Sequence, residues 1–306
     1  MSTERVLRRL TPRCRWWWRC CHPFASANLR RMPKLSRVLA TAAAISITCL
    51  ASRSGFAHQQ WLMPNAFVTH SDEEEVWISF EHALGDQRFI SSLGPGPALL
   101  WVTAPDGKRS PPSSVFTGKT RTVAELKLGA PGTYRLEAHE PESFWTKVKE
   151  GDETRWLPQS RDRVEGQKIE VSKRYWSKSI AYVTFRKPSQ GSLAPRGEPL
   201  ELIPEDHPNA LVAGRPFGVR VSSKGAPLTG KKIKVFSEAE EGHDPTFEVT
   251  SGEGGRAKLM LPDAGRHLIS VSHEVPAPKD PRADSYFYSV YLMVEVGPKK
   301  EAKASR

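Results

Sequence analysis

His58 carries the most chemistry in this chain because of what precedes it. Met32 to Ala57 reads as a secretory leader, and cleavage after Ala57 would make His58 the mature N-terminus. A terminal histidine offers a free α-amine and an imidazole from one residue, a pair that can chelate a transition metal. The amine's reference pKa of about 7.7–8.0 is far below a lysine's, so a metal displaces its proton more readily. Other positions could complete such a site. His82 continues the alternation of Val76, Ile78 and Phe80 and precedes a turn at Gly85-Asp86. His273 shares a strand face with His267, Ile269 and Val271, and Asp284 opens the next strand, near enough in a hairpin to offer an oxygen. His139, beside Glu140, and His207, in Glu205-Asp206-His207-Pro208, are weaker candidates. For each of these the plain alternative is a surface or hydrogen-bonded histidine. His70 and His243 stand in charged, turn-like stretches and are given no role.

The leader also decides what the composition means. Residues 32–37 are short and basic, Val38 to Ala51 is apolar but too short to span a bilayer comfortably, and Gly55-Phe56-Ala57 places small residues three and one before the cut. Residues 1–31, with Trp16-Trp17-Trp18 among arginines, have no folding logic and read as a start-site artefact or an extended leader. Together these segments hold 11 of the 45 basic residues and one of the 34 acidic ones, leaving 34 basic against 33 acidic. The mature chain is therefore almost neutral, and its basic overall charge is no argument for nucleic acid. All four cysteines (14, 20, 21 and 49) leave with the leader, so any metal must be held by nitrogen and oxygen.

The elements that must position these groups are strands. No long stretch shows helical spacing, whereas Thr133 to Ala138 alternates with Tyr134, Leu136 and Ala138 inside and charges outside. Ser179 to Phe185 is apolar on both faces, as in a central strand. Turns are expected at Pro105-Asp106-Gly107, Ala130-Pro131-Gly132 and Lys224 to Gly230. Strand patterns recur at Phe217–Val221, Lys232–Phe236, Phe247–Thr250, Ala257–Leu261, His267–His273 and Ser285–Val296. Trp145 to Arg163 is charged and reads as an exposed excursion with one helical turn near Phe144 to Val148, and Glu165 to Ser177 adds a strand. The resulting expectation is an all-β chain of two β-sandwich domains, immunoglobulin-like or prealbumin-like, after a cleaved signal peptide. The first domain covers 58–187 and the second 199–297, with a Pro/Gly/Ser-rich linker at 188–198 and a charged tail at 298–306.

No HExxH, Gly-rich phosphate loop, EF-hand loop or Gly-x-Ser-x-Gly occurs, so spacing supplies no strong catalytic motif and the chain is expected to bind rather than catalyse. A set of short motifs does carry a likeness. They are the leader ending before His58-Gln59-Gln60-Trp61-Leu62, Arg174-Tyr175-Trp176-Ser177-Lys178, Pro199 to Pro204, Gly225 to Gly230, Asp263 to His267, Val271-Ser272-His273 and Ser285-Tyr286. Over nearly all of 58–297 the chain resembles a bacterial domain-of-unknown-function family connected with periplasmic steps of nickel or cobalt uptake. That resemblance implies a periplasmic or secreted β-protein handling a divalent transition metal, nickel or cobalt ahead of copper or zinc. It points to His58 first, then His82 and His273. The implied partners are signal peptidase and a metal importer, membrane-embedded or in the outer membrane. Two other readings stay open: a copper-dependent oxidoreductase with a histidine-brace-like site, and an exported structural or adhesion module that holds no metal.

Overall fold

The computed structural model describes residues 59–81, 99–117, 122–239 and 244–299, and these form three stacked β-sheets. The middle sheet, with eleven of the described strands, organises the other two. Its spine is β11 (Lys168–Phe185), flanked in parallel by β19 (Ser285–Val296). Beyond β19 lie β18 (Gly265–Pro276), β15 (Lys232–Ser237) and β16 (Phe247–Thr250). On the other side β11 pairs with β8 (Gly132–His139) and, lower down, with β9 (Ser143–Glu150). β8 leads on to β4 (Leu99–Thr103) and β5 (Arg109–Ser110), and β9 to β10 (Glu153–Leu157).

Strand alternation gives this sheet two apolar faces, and each needs a cover. Ala181, Val183 and Phe185 of β11 join Tyr291 and Met293 of β19 in one core, on what we term face 1. Ile180 and Tyr182 join Val290, Leu292 and Val294 in a second core on face 2. Face 1 is covered by the sheet β1 (Gln59–Pro64), β3 (Glu73–Glu81), β7 (Thr122–Lys127) and β6 (Ser114–Thr117). The short β2 (Val68–Thr69) joins the end of β11 instead. Face 2 is covered by β12 (Glu201–Pro204), β13 (Pro216–Ser223), β14 (Ala226–Pro227) and β17 (Arg256–Met260). The all-β sandwich expectation holds, with two sandwich cores. They are not beads on a string, because both are built on one shared sheet. Lys224 and Gly225, with φ of 50 and 80°, make the two-residue turn between Ser223 and Ala226, the left-handed geometry a tight hairpin requires.

Three local expectations change. Trp145 to Arg163 is no exposed helical excursion. β9 and β10 form a hairpin extending the middle sheet, and Thr146 and Val148 are fully buried. Arg135 and Glu137 do not face solvent; both are buried, because face 2 of β8 is covered as well. The cover there is the segment read as a linker. Ser189 exchanges hydrogen bonds with Thr133, Arg196 binds Glu137, and Glu198 binds Lys178. Gly191 is packed so closely that a Cβ there would strike the Pro105 carbonyl. Gly191→Ala should therefore lower stability by about 1–3 kcal/mol, read as an earlier urea midpoint with unchanged slope. A variant as stable as the parent would mean that this segment is loosely attached.

Candidate functional site

Of the sequence-derived candidates, His58 and His82 lie outside the described residues, as does His243. Their nearest described neighbours are informative. β1 and β3 pair antiparallel from Pro64 opposite Val76 to Gln59 opposite Glu81, where the described ladder ends. β1 packs on β11, β19 and β8 across face 1. Phe67, three residues after Pro64, gives its carbonyl to the Thr184 N–H, which fixes the finish of β1 near that end of β11. Trp61 and Leu62 of β1 are buried in the first core.

The floor of one part of face 1 is polar and partly buried. Ser177 and Tyr291 belong to it by strand parity, and so does Glu140, whose backbone N–H donates to the Ser177 carbonyl. Burial pushes the Glu140 carboxyl up to about 7, against a hydrogen bond from Ser177 that lowers it. Burial first, then the charge of Glu140, pushes the Tyr291 phenol up as well. Glu140 was not singled out from sequence, yet the signal was present. It continues the even-numbered positions 134, 136 and 138, all of which turn into the core.

The described histidines do not gather around that floor. His139 falls on the opposite parity of β8, hence on face 2, edge-on to Trp176 at 5.8 Å. Burial, then the nearby Lys178, lowers its imidazole to about 4. His273 also lies on face 2, opposite Tyr288, whose ring meets Trp176 at 5.9 Å. Burial, then Lys231, lowers its imidazole too. Both have a buried ring nitrogen with no hydrogen-bond partner in the structure: Nε2 of His139 and Nδ1 of His273. They stand three strand steps apart, about 14 Å, with Trp176 and Tyr288 between them, so one ion cannot bridge them. The middle sheet also divides His273 from β1, so a site at the start of β1 does not include it.

His207 and Asp284 are engaged as struts. His207 Nε2 bonds Thr133 Oγ1 at 2.9 Å, and its Nδ1 accepts from the Asn209 N–H at 3.2 Å. Asp284 Oδ2 accepts from Arg161 at 2.7 Å and from the Ser172 N–H at 2.8 Å. Among the described residues, no three His, Asp or Glu side chains are grouped to hold a metal ion.

The strongest electrostatic feature lies on face 2. Glu137 is fully buried, and burial alone would raise its pKa. Arg135 at 3.0 Å, Lys178 at 3.1 Å and Arg196 outweigh that and hold the carboxyl at about 2. Lys178 is pushed down to about 7 by burial and by Arg135, with Glu137 pulling the other way. Glu137 is thus paired with several cations at once.

A model of a domain of unknown function, DUF4198, matches residues 55–275. No curated protein matches the chain. Among solved structures, the D0-D1 domain of intimin aligns at 12% identity and a TM-score of 0.23, over 79% of this chain and 100% of that one. A red sea bream transglutaminase aligns at 11% identity and a TM-score of 0.18, over 84% of this chain and 33% of its own length.

Glu140 yields a direct test of the floor. Its folded-state pKa is raised, so the folded chain holds a proton there that the unfolded chain releases. The destabilisation grows as pH rises from about 4.5 to about 7 and is constant above. Glu140→Gln should stabilise the protein by roughly 2 kcal/mol at alkaline pH, with the gain vanishing toward about pH 4. Urea midpoints across that range check it, and a gain independent of pH would contradict the buried-carboxyl account.

Proposed function

The chain belongs to the DUF4198 family, and from that premise we propose that it is an exported protein that captures Ni(II) or Co(II) in the periplasm and passes it to an importer. Its chelating residue is His58, freed as the mature N-terminus by signal peptidase. The register of β1 on β3 carries this reading: Gln59 stands opposite Glu81 at the end of the described ladder, and His58 and His82 are the sequence neighbours of that last pair. Two imidazoles and a terminal amine form a donor set that can hold one ion at ordinary bond lengths of about 2 Å.

Glu140, on the face that β1 covers, is a partly buried carboxyl with its pKa raised to about 7, able to exchange its proton for an arriving cation. With the cysteines gone, the donors are nitrogen and oxygen, a set that suits Ni(II), Co(II), Cu(II) and Zn(II). Affinity order alone would favour copper, and the preference for nickel or cobalt comes from the family resemblance. The ion is cargo here, and no reaction is assigned.

The test begins with intact mass of the secreted form, which should start at residue 58. Titration with Ni²⁺, Co²⁺, Cu²⁺ and Zn²⁺ should then show one site. His58→Ala, His82→Ala and a single glycine added ahead of His58 should each weaken it at least tenfold. The glycine extension keeps the imidazole and removes only the terminal amine next to it. Unchanged affinity in all three would sink the assignment and leave an exported β-module without this site.

A further inference from the structure

Five stretches of the chain are tied together by one knot of polar groups. Phe67 follows β1, Thr133 stands at the start of β8, Tyr182 and Thr184 at the end of β11, and Ser189 in the segment that leaves β11. The fifth is the 205–210 loop between β12 and β13, which brings His207 and Asn209. The Asn209 Nδ2 donates to the Phe67 carbonyl at 2.8 Å, the Tyr182 carbonyl at 3.0 Å and Thr184 Oγ1 at 2.9 Å. Thr133 Oγ1 accepts from the Ser189 N–H at 3.0 Å and lies 3.2 Å from Thr184 Oγ1. His207 Nε2 closes the knot on Thr133 Oγ1 at 2.9 Å.

His207 is the titratable member of this group. Its Nδ1 accepts from the Asn209 N–H at 3.2 Å and so carries no proton, which leaves the single hydrogen of the neutral ring on Nε2, donated to Thr133. A second proton has only Nδ1 to go to, where it would oppose the Asn209 N–H. One hydrogen bond then becomes two facing donors, and a positive charge arises beside the buried hydroxyls of Thr133 and Thr184. The charges on the surrounding elements are placed elsewhere. Arg135 and Arg196 bind Glu137, Glu205 binds Arg256, and Asp206 accepts from the Gly218 N–H. Arg186 lies over the Phe185 ring, and Lys187 and His70 are exposed. Burial lowers the His207 imidazole, against a hydrogen bond to the Ser189 backbone that raises it.

The chain next to the knot is under restraint. Arg186 leaves β11 with φ of 62°, a left-handed backbone that a residue other than glycine keeps only where its surroundings hold it. Its N–H is held by the Thr69 carbonyl, and the next hold is Ser189, three residues on.

We infer that His207 is a proton-operated latch: neutral, it holds the 205–210 loop and Ser189 against β8 and β11, and protonated at Nδ1 it releases them. The inference does not rest on the metal reading. The closed joint favours the neutral ring, so it is fully stable above the ordinary imidazole value of about 6.5 and weakens as pH falls below it.

Full-length secreted protein should be followed by nuclear magnetic resonance from about pH 7.5 to about pH 5.5, a range that brackets the ordinary imidazole value. The His207 ring should titrate below about 6.5, with its neutral form protonated at Nε2. Protection of the Ser189 and Asn209 amides from hydrogen exchange should fall severalfold, within the roughly tenfold that one proton supplies a pH unit below that value. His207→Gln keeps an uncharged donor and should make that protection independent of pH. An equal acid loss in His207→Gln would assign the effect to protonation elsewhere, at His139 or His273, and overturn the latch. So would a His207 ring that titrates at or above the ordinary value, or a parent whose protection is unchanged by acid. Should His207→Gln fail to fold, the ring titration and tautomer of the parent decide alone.

Discussion

A carboxylate with no access to water cannot remain ionised unless cations come to it, and the architecture is consistent with that demand at Glu137. Its partners come from three places in the chain: Arg135 two residues away on β8, Lys178 on β11, and Arg196 in the segment between the two halves. Glu198 and the buried Glu201 extend the cluster, and Arg109 adds a more distant cation at 4.0 Å from Glu137. Removing one member would strand a buried charge at about 3–5 kcal/mol. The cluster thereby fixes the course of the chain from β11 into β12. It also explains why face 2 is polar over β8 and apolar over β19 and β18: the polar part is closed by a charged segment, the apolar part by a sheet.

That arrangement sets the limit of what could be read in advance. Ser179 to Phe185 is apolar on both faces, and that pattern states correctly that the strand is covered twice. Arg135 and Glu137 give the opposite impression. Charges on alternate positions ordinarily face water, and the cover that buries them arrives some sixty residues later in sequence. Gly191 shows the same blindness. Pro, Gly and Ser in succession describe a flexible connection equally well as a segment that must approach another backbone closely. Trp145 to Leu157 was obscured by its charges, although Trp145, Lys147, Val148 and Trp156 do alternate across the hairpin.

The histidines illustrate a different limit. Residue type and strand ends identify candidates, but only parity and sheet order tell which side of a sheet each occupies. His273 and His139 share face 2 and are kept apart by two rings, while β1 runs over face 1. What is shown of β1 is a strand held firmly in place, with Trp61 and Leu62 both buried. Chain ends are commonly loose, and a loose chelate loses affinity to the entropy of ordering it. With His58 as the proposed ligand, buried residues three and four positions after it would reduce that loss.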